Sequence, residues 1–95
     1  MTQVQLRVNN RTGLHARPAK LFTAEAKKYD CSIYIEKNDD KAVTYNAKSI
    51  FSVLSMGADK GTVLTVYANG TDEKEAVKAL SELADGNFGE TEESI

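Results

Sequence analysis

The sequence predicts an α+β domain with the element order βαββαβα, in which a four-stranded antiparallel sheet carries three helices on one face. In the first segment, Val4, Leu6 and Val8 alternate with polar residues at a period of two, which is typical of a half-buried strand. In other segments the apolar residues recur at helical spacing. The chain has 95 residues, 41% of them hydrophobic, which suffices for one modest core. Helices on one face of a sheet are the economical packing for this order.

The first half of the chain contains a strand, a helix and two further strands. The first strand extends to about Val8 and gives way to the turn at residues 9–13. A helix from about Ala16 to Tyr29 follows. Pro18 lies in its first turn, where the missing N–H breaks no intrahelical bond. The two further strands are predicted near Ser32–Lys37 and Ala42–Asn46, joined by the turn at residues 38–40.

The second half continues with a short helix near Ser49–Met56 and a strand near Thr62–Ala68. The last helix spans about Asp72–Ala84, and Thr71 or Asp72 can cap it. Residues 1–86 are therefore predicted to form the domain. Residues 87–95, which include three glutamates, are predicted to form a loose acidic tail.

The segment from Gly13 to Ala19, Gly-Leu-His-Ala-Arg-Pro-Ala, places the only histidine at the start of the first helix. Free N–H groups and the positive end of the helix dipole would hold a phosphoryl group there and favour the neutral, nucleophilic imidazole of His15. Arg17 can bind phosphate oxygens through two parallel hydrogen bonds. The alternative interpretation is that His15 caps the helix or packs in the structure.

Composition excludes several other functions. The chain has no Walker-type glycine loop, no second histidine and no paired cysteines, so it lacks the parts to generate a phosphoanhydride or to hold a metal. A net charge of −2 argues against nucleic-acid binding. Cys31 cannot form an internal disulfide and receives no function. The absence of a signal-peptide pattern or a membrane-spanning run predicts a cytoplasmic protein without membrane insertion.

The motif Gly-x-His-x-Arg-Pro resembles the active-site signature of the HPr family, the histidine-containing phosphocarriers of the phosphoenolpyruvate:sugar phosphotransferase system. Lys48–Gly57 and Lys60–Val66 resemble two further segments of that family, and the resemblance covers nearly the whole chain. It implies an open-faced β-sandwich. It also implies that His15 accepts a phosphoryl group on Nδ1 from enzyme I and passes it to enzyme IIA of sugar permeases. Such a chain is a stoichiometric carrier rather than a stand-alone enzyme, and it requires no cofactor.

The short helix predicts a docking surface, because its apolar residues cannot all point inward from one or two turns. One interpretation is that they cover the sheet, as Val53 and Leu54 would. The resemblance instead implies an apolar patch beside His15 that binds enzyme I and enzyme IIA, with Arg17 near its rim. The lysines nearby otherwise form a solvated face. The predicted docking residues are Lys20, Lys27, Lys48, Ile50, Phe51 and Leu54, and the chain is expected to be a monomer.

Ser49 precedes an apolar run and can simply cap the short helix. The resemblance implies a second role, as the target of an HPr kinase/phosphorylase. Phosphorylation would add negative charge next to the docking surface and change the choice of partner, including a catabolite control protein.

Three alternatives stay open. The turn at residues 38–42 and the tail are longer than is common in the family, and the sequence from Gly86 to Glu90 resembles the nitrogen-related regulatory paralogue. The presence of His15 disfavours the catabolite-repression variant, which lacks the catalytic histidine. Outside the family, a binding module without phosphotransfer, or a small acylphosphatase-like hydrolase that uses Arg17 as an anion clamp, is conceivable.

Overall fold

The computed structural model describes residues 1–89, and it confirms the predicted order of elements. The longest helix has 13 residues, and no helix in the described part of the chain is long and apolar enough to cross a membrane. The strands are β1 (Thr2–Arg7), β2 (Ser32–Lys37), β3 (Tyr45–Asn46) and β4 (Val63–Asn69). The helices are α1 (Ala16–Ala26), α2 (Ile50–Ser55) and α3 (Glu73–Asp85), followed by a 3₁₀ turn at Asn87–Gly89.

The four strands form one antiparallel sheet in the order β1-β4-β2-β3. The central strand β4 pairs with β1 on one side, where Thr2 lies opposite Ala68, and with β2 on the other. Leu64 and Val66 of β4 are fully buried on the face that the helices cover. Helix α3 packs on β1 and β4, and α1 packs on α2 and α3. The predicted fold class is therefore confirmed, and the core lies between one face of the sheet and the helices.

Helix α1 ends at Ala26, three residues before the predicted end. The N–H of Lys28 donates to the carbonyl of Glu25 (3.2 Å) and the N–H of Tyr29 to that of Ala26 (3.3 Å). Bonds to the third residue back are those of a 3₁₀ turn, which is a common way for an α-helix to end. The sequence did not predict this, because Lys27 and Lys28 are good helix formers.

Strand β3 has two residues instead of the predicted five. The N–H of Ala42 donates to the Asp40 carboxylate (3.0 Å), so the chain is still in a turn at this point. Only Tyr45 and Asn46 pair with β2. A side chain that bonds to the backbone two residues later competes with strand formation, and here the turn extends further than the apolar pattern indicates.

Asp72 precedes α3, but neither Thr71 nor Asp72 caps that helix with its side chain. The Asp72 carboxylate instead accepts hydrogen bonds from the N–H of Asp30 (2.8 Å) and of Cys31 (2.9 Å), and the bond from Asp30 is the main cause of its lowered pKa. Burial, together with the neighbouring Asp72, raises the pKa of the Cys31 thiol to about 11. The thiolate is the reactive form, so Cys31 is a packed and unreactive residue.

Glu73 ties the start of α3 to the start of the chain. Its carboxylate accepts hydrogen bonds from the Thr2 hydroxyl and the N–H of Gly70 (3.2 Å), and it pairs with the N-terminal amine of Met1 (3.2 Å). The bonds from Thr2 and Gly70 are the main causes that lower the pKa of Glu73 to about 2. Folding therefore favours the ionised carboxylate, and this contribution to stability is present only where the side chain is ionised.

We expect Glu73→Gln to lower the free energy of unfolding at neutral pH, and the deficit to shrink as the pH falls. The wild-type contribution is complete above the ordinary glutamate value of about 4.3 and is lost as the pH approaches 2. Urea denaturation at a series of pH values measures the difference between the two proteins. The exposed Glu75→Gln is the matched control, and a deficit for Glu73→Gln that does not change with pH would contradict the assignment.

Residues 87–89, which the sequence predicts as the start of a loose tail, pack against the helices in the structure. Asn87 and Phe88 adopt positive φ values of 56° and 53°, which turn the chain back after α3. The Phe88 side chain is fully buried, with its ring centroid 6.0 Å from that of Phe22 in α1. The 3₁₀ turn packs against both α1 and α3. The domain therefore extends at least to this turn, and residues 90–95 lie outside the described part.

Candidate functional site

His15 lies at the start of α1, as the sequence predicts. It is the N-cap residue, with an extended backbone (φ −126°, ψ 167°), and its carbonyl accepts the first bond of the helix from the N–H of Ala19 (3.4 Å). Pro18 is buried at the third position of the helix, where it removes an N–H that would have no partner in the helix. The His15 side chain is 37% exposed. The imidazole is therefore accessible to another molecule while its backbone is fixed by the helix.

The chain turns sharply into the helix at Ala16, which has a φ of +47°. A left-handed conformation costs a residue with a Cβ roughly 1–2 kcal/mol, so it persists only where the surroundings impose it. Backbone bonds on the N-terminal side of the turn supply that constraint. The N–H of Leu14 donates to the carbonyl of Ala58 (2.7 Å), and the Asn10 side chain donates to the carbonyl of Gly13 (2.6 Å).

The loop before His15 packs directly on the loop at residues 57–61. A Cβ on Gly13 would lie 2.6 Å from the carbonyl oxygen of Ala58 and 2.9 Å from Cα of Asp59. The two loops are also joined through Val8, whose N–H donates to the carbonyl of Thr62 (2.9 Å) and whose carbonyl accepts from the N–H of Gly61 (2.7 Å). This close approach brings a segment that is distant in sequence to the candidate nucleophile.

Asp59 is the site residue that the sequence did not predict. Its carboxylate oxygen Oδ1 lies 2.9 Å from Nε2 of His15. The carboxylate is 83% exposed, so the pair lies at the surface. The two residues are separated by 44 positions, and no motif in the sequence links them. The contact follows from the packing of the two loops, which local sequence patterns do not reveal.

The basic residues predicted for the site lie on α1 and just before α2. Arg17 is exposed at the second position of α1 and Lys20 further along it, and Lys27, which is also exposed, is the C-cap residue of this helix. Lys48 differs from these, because it is half-buried and its ammonium donates to the carbonyl of Tyr29 (2.6 Å). That hydrogen bond joins the segment before α2 to the turn after α1. The Lys48 ammonium is therefore part of the fold as well as a predicted docking group.

Helix α2 divides its apolar residues between the core and the solvent. Val53 and Met56 are buried, whereas the Phe51 side chain is 83% exposed and that of Leu54 is 41% exposed. Each of these pairs is spaced by three residues, so each occupies one face of the helix. Ile50 is half-buried and packs against the core. The interpretation that Leu54 covers the sheet is therefore wrong, and Phe51 and Leu54 form an exposed apolar patch next to α1.

Ser49 caps α2, as one of its two interpretations requires. Its hydroxyl oxygen accepts a hydrogen bond from the N–H of Ser52 (3.3 Å), and the side chain is half-buried. A cap at this position satisfies one of the N–H groups at the start of the helix. The capping role alone explains a serine here, so phosphorylation is an additional role and not one that the fold needs.

The imidazole of His15 and the guanidinium of Arg17 are accessible to a macromolecular partner. Two surface clefts, of about 510 Å³ and about 230 Å³, are lined by residues other than His15 and Arg17. Small-molecule sites are normally concave and bury most of their ligand. Residues 1–89 contain no group of three or more histidine, cysteine, aspartate or glutamate side chains that could hold a metal ion. The candidate site therefore consists of an accessible imidazole, an exposed arginine two residues later and the exposed apolar patch on α2.

Comparison with known proteins identifies relatives over nearly the whole length of the chain. A family model described as the PTS HPr component phosphorylation site matches residues 2–85. The phosphocarrier protein HPr of Neisseria meningitidis (serogroup A, strain Z2491) is 38% identical over 92 residues, which is 97% of this chain and 100% of the relative. The HPr-like protein Crh of Halalkalibacterium halodurans is 42% identical over 80 residues, which is 84% of this chain and 92% of the relative.

A solved structure shows the same fold. The crystal structure of HPr-C-His from Thermoanaerobacter tengcongensis superposes with a TM-score of 0.88 at 43% identity. The alignment covers 96% of this chain and 99% of that protein. The similarity therefore extends through the sheet, the three helices and the loops that build the site.

Proposed function

Because the chain belongs to the HPr family of phosphocarriers, we propose that His15 accepts a phosphoryl group from the phosphohistidine of enzyme I and passes it to a histidine of an enzyme IIA domain of a sugar permease. The observation that carries this proposal is the accessible imidazole at the start of α1, within the segment that matches the family model. A phosphoryl group there would lie next to free N–H groups and the positive end of the helix dipole.

The proposed reaction is a transfer between two histidines. The Nδ1 lone pair of His15 attacks phosphorus while the bond from phosphorus to the donor nitrogen breaks, and the electron pair of that bond returns to the donor. In this proposal the guanidinium of Arg17, which is exposed two residues after His15, binds the phosphoryl oxygens. Catalysis in such a reaction consists mostly of in-line positioning and charge stabilisation. Transfer to enzyme IIA repeats the same step with His15 as the donor, so no cofactor is needed.

The exposed patch of Phe51 and Leu54 is the proposed docking surface for both partners, with Ile50 at its edge. Lys20 and Lys27 on the adjoining helix α1 would attract an acidic partner, and Lys48 would contribute its charge from its bonded position. An apolar centre gives affinity, and a charged rim gives fast encounter. The proposed nucleophile and docking groups all lie on one chain, and the proposed carrier acts as a monomer in the cytoplasm.

Phosphorylation of Ser49 is a second proposed function, and the position of this residue supports it. Ser49 is the N-cap of α2, two residues before the exposed Phe51. A phosphate would add about −1.5 to −2 charges there, which a helix start tolerates but an acidic partner would repel. An HPr kinase/phosphorylase could thus switch the chain between transport partners and a catabolite control protein.

The test is phosphoryl transfer from labelled phosphoenolpyruvate through enzyme I of the same organism. We expect an acid-labile label on the wild type and none on His15→Ala. Phe51→Ala should be labelled to the same extent at saturating enzyme I but should require roughly 5- to 30-fold more enzyme I for half-maximal labelling, as loss of an interface hot spot would cause. Adding a sugar-specific enzyme IIA should then remove the label from the wild type.

Each arm of this test has an outcome that contradicts the proposal. A folded wild-type chain that takes no label would favour a binding module without phosphotransfer. A label that survives acid would indicate a serine ester instead of phosphohistidine. A label that enzyme IIA of sugar permeases cannot remove would favour the nitrogen-type regulatory paralogue. Turnover of an acyl phosphate without any protein donor would favour the hydrolase.

A further inference from the structure

We propose that Asp59 is a positioning residue for His15, which holds the imidazole proton on Nε2 and so keeps the lone pair on Nδ1. The inference deepens the proposed function and rests on His15 as the phosphoryl acceptor. It starts from the distance of 2.9 Å between Oδ1 of Asp59 and Nε2 of His15. It assigns to the loop at residues 57–61 a part in the reaction, namely the choice of the ring nitrogen that reacts.

The backbone places Asp59 beside the imidazole. The carbonyl of the preceding residue, Ala58, accepts from the N–H of Leu14, the residue before His15 (2.7 Å). Gly13 lies so close to Cα of Asp59 that a Cβ would be only 2.9 Å away. The Asp59 carbonyl in turn accepts from the N–H of Thr62 (3.0 Å), which closes the loop. Contacts of the main chain therefore fix the backbone of Asp59 beside His15.

The chemistry of the two groups fixes the position of the proton. An ionised carboxylate has only acceptors, so a hydrogen bond at this distance requires the proton to be on Nε2. A neutral imidazole carries one proton, so Nδ1 is then the nitrogen with the lone pair. Only that nitrogen can attack phosphorus. The negative charge of Asp59 also repels an incoming phosphoryl group from the Nε2 side of the ring.

The carboxylate also acts on the charge that develops during transfer. When the bond between Nδ1 and phosphorus forms, the ring still carries the proton on Nε2 and becomes positively charged. The negative carboxylate of Asp59 accepts a hydrogen bond from that N–H and stabilises the positive charge on the ring. The pair is exposed to water, where such interactions are weak, so the expected effect on the rate is modest. The position of the proton is the stronger readout, because it follows from the hydrogen bond itself.

The experiment measures the imidazole tautomer by ¹⁵N NMR of the unphosphorylated protein, at a pH where the ring is neutral. We expect His15 to be almost entirely in the Nε2–H form in the wild type and to become a mixture of both tautomers in Asp59→Ala. Asp59→Asn should also give a mixture, because its amide can accept a hydrogen bond from Nε2–H or donate one to an unprotonated Nε2. The rate of transfer from enzyme I should fall roughly two- to five-fold in Asp59→Ala, the range expected for an exposed ion pair.

Asp39→Asn is the matched control, since it removes the same charge in the turn between β2 and β3. Asn tolerates the φ of +63° at that position, so this variant should change neither the tautomer nor the rate. An unchanged tautomer in Asp59→Ala would overturn the inference. The tautomer measurement needs no phosphoryl donor, so its result does not depend on whether wild-type His15 takes the label. Failure of the positioning role of Asp59 can therefore be distinguished from failure of the proposed phosphoryl transfer.

Discussion

Replacing Phe88 with alanine is expected to lower the free energy of unfolding by about 3–5 kcal/mol, which is the usual cost of deleting a fully buried phenylalanine. The ring is completely buried and lies 6.0 Å from the ring of Phe22 between centroids. Its removal leaves a cavity where the 3₁₀ turn packs against α1 and α3. Urea denaturation followed by circular dichroism measures the change, which is a large fraction of the stability of a domain of this size.

The matched control for this prediction is Phe51→Ala, which removes the same side chain from the surface of α2. Because the Phe51 side chain is 83% exposed, this variant should change the free energy of unfolding by no more than about 0.5 kcal/mol. Phe88→Ala should therefore affect the stability of the domain, whereas Phe51→Ala should affect only the docking of enzyme I. If Phe88→Ala were as stable as Phe51→Ala, residues 87–95 would lie outside the folded domain, as the sequence pattern suggests.

Gly13→Ala is expected to be the most damaging small substitution near the site. The new Cβ would lie 2.6 Å from the carbonyl oxygen of Ala58 and 2.9 Å from Cα of Asp59, and both contacts are with backbone. The φ of +77° adds the cost of a left-handed alanine. Strain and overpacking together should lower the free energy of unfolding by about 2–5 kcal/mol. Displacing the loop at residues 57–61 should also slow phosphoryl transfer at least roughly tenfold, because the geometry of His15 would change.

Gly57→Ala is the matched control for Gly13→Ala, because it introduces the unfavourable positive φ without a steric clash. Gly57 has a φ of +61°, but a Cβ there would meet nothing within 4 Å. This variant should therefore lose only about 1–2 kcal/mol and keep most of its transfer rate. Denaturation curves and the labelling assay distinguish the two variants. Equal losses in Gly13→Ala and Gly57→Ala would mean that the contact between the two loops does not constrain the site.

Local sequence patterns were sufficient for the order of elements and for the position of His15. The alternation around Leu6 and the helical spacing around Phe22 are both local signals, and each corresponds to one buried face in the structure. Pro18 also identified the first turn of α1 without any knowledge of the rest of the fold. Features that depend on one segment could therefore be predicted, and these include the candidate nucleophile and its helix.

The features that the sequence did not predict depend on contacts between distant segments. Asp59 meets His15 only because two loops pack against each other. Phe88 follows Gly86 and Asn87, which are typical turn residues, and its burial is decided by the space beside Phe22. Lys48 gives the same pattern as any solvated lysine, yet its ammonium binds a carbonyl at the end of another element. Tertiary packing determines the environment of these three residues, and the pattern within one sequence segment does not indicate it.

The position of β1 at the sheet edge has a consequence for biosynthesis. β1 leaves the ribosome before its partner β4, which ends at Asn69, and Phe88 completes the core later still. The nascent chain therefore carries β1 without its partner until β4 has been translated. Pairing across such a separation makes folding slower than for a helical bundle of equal size. A nascent chain that lacks residues 57–62 would carry His15 without the loop that positions it.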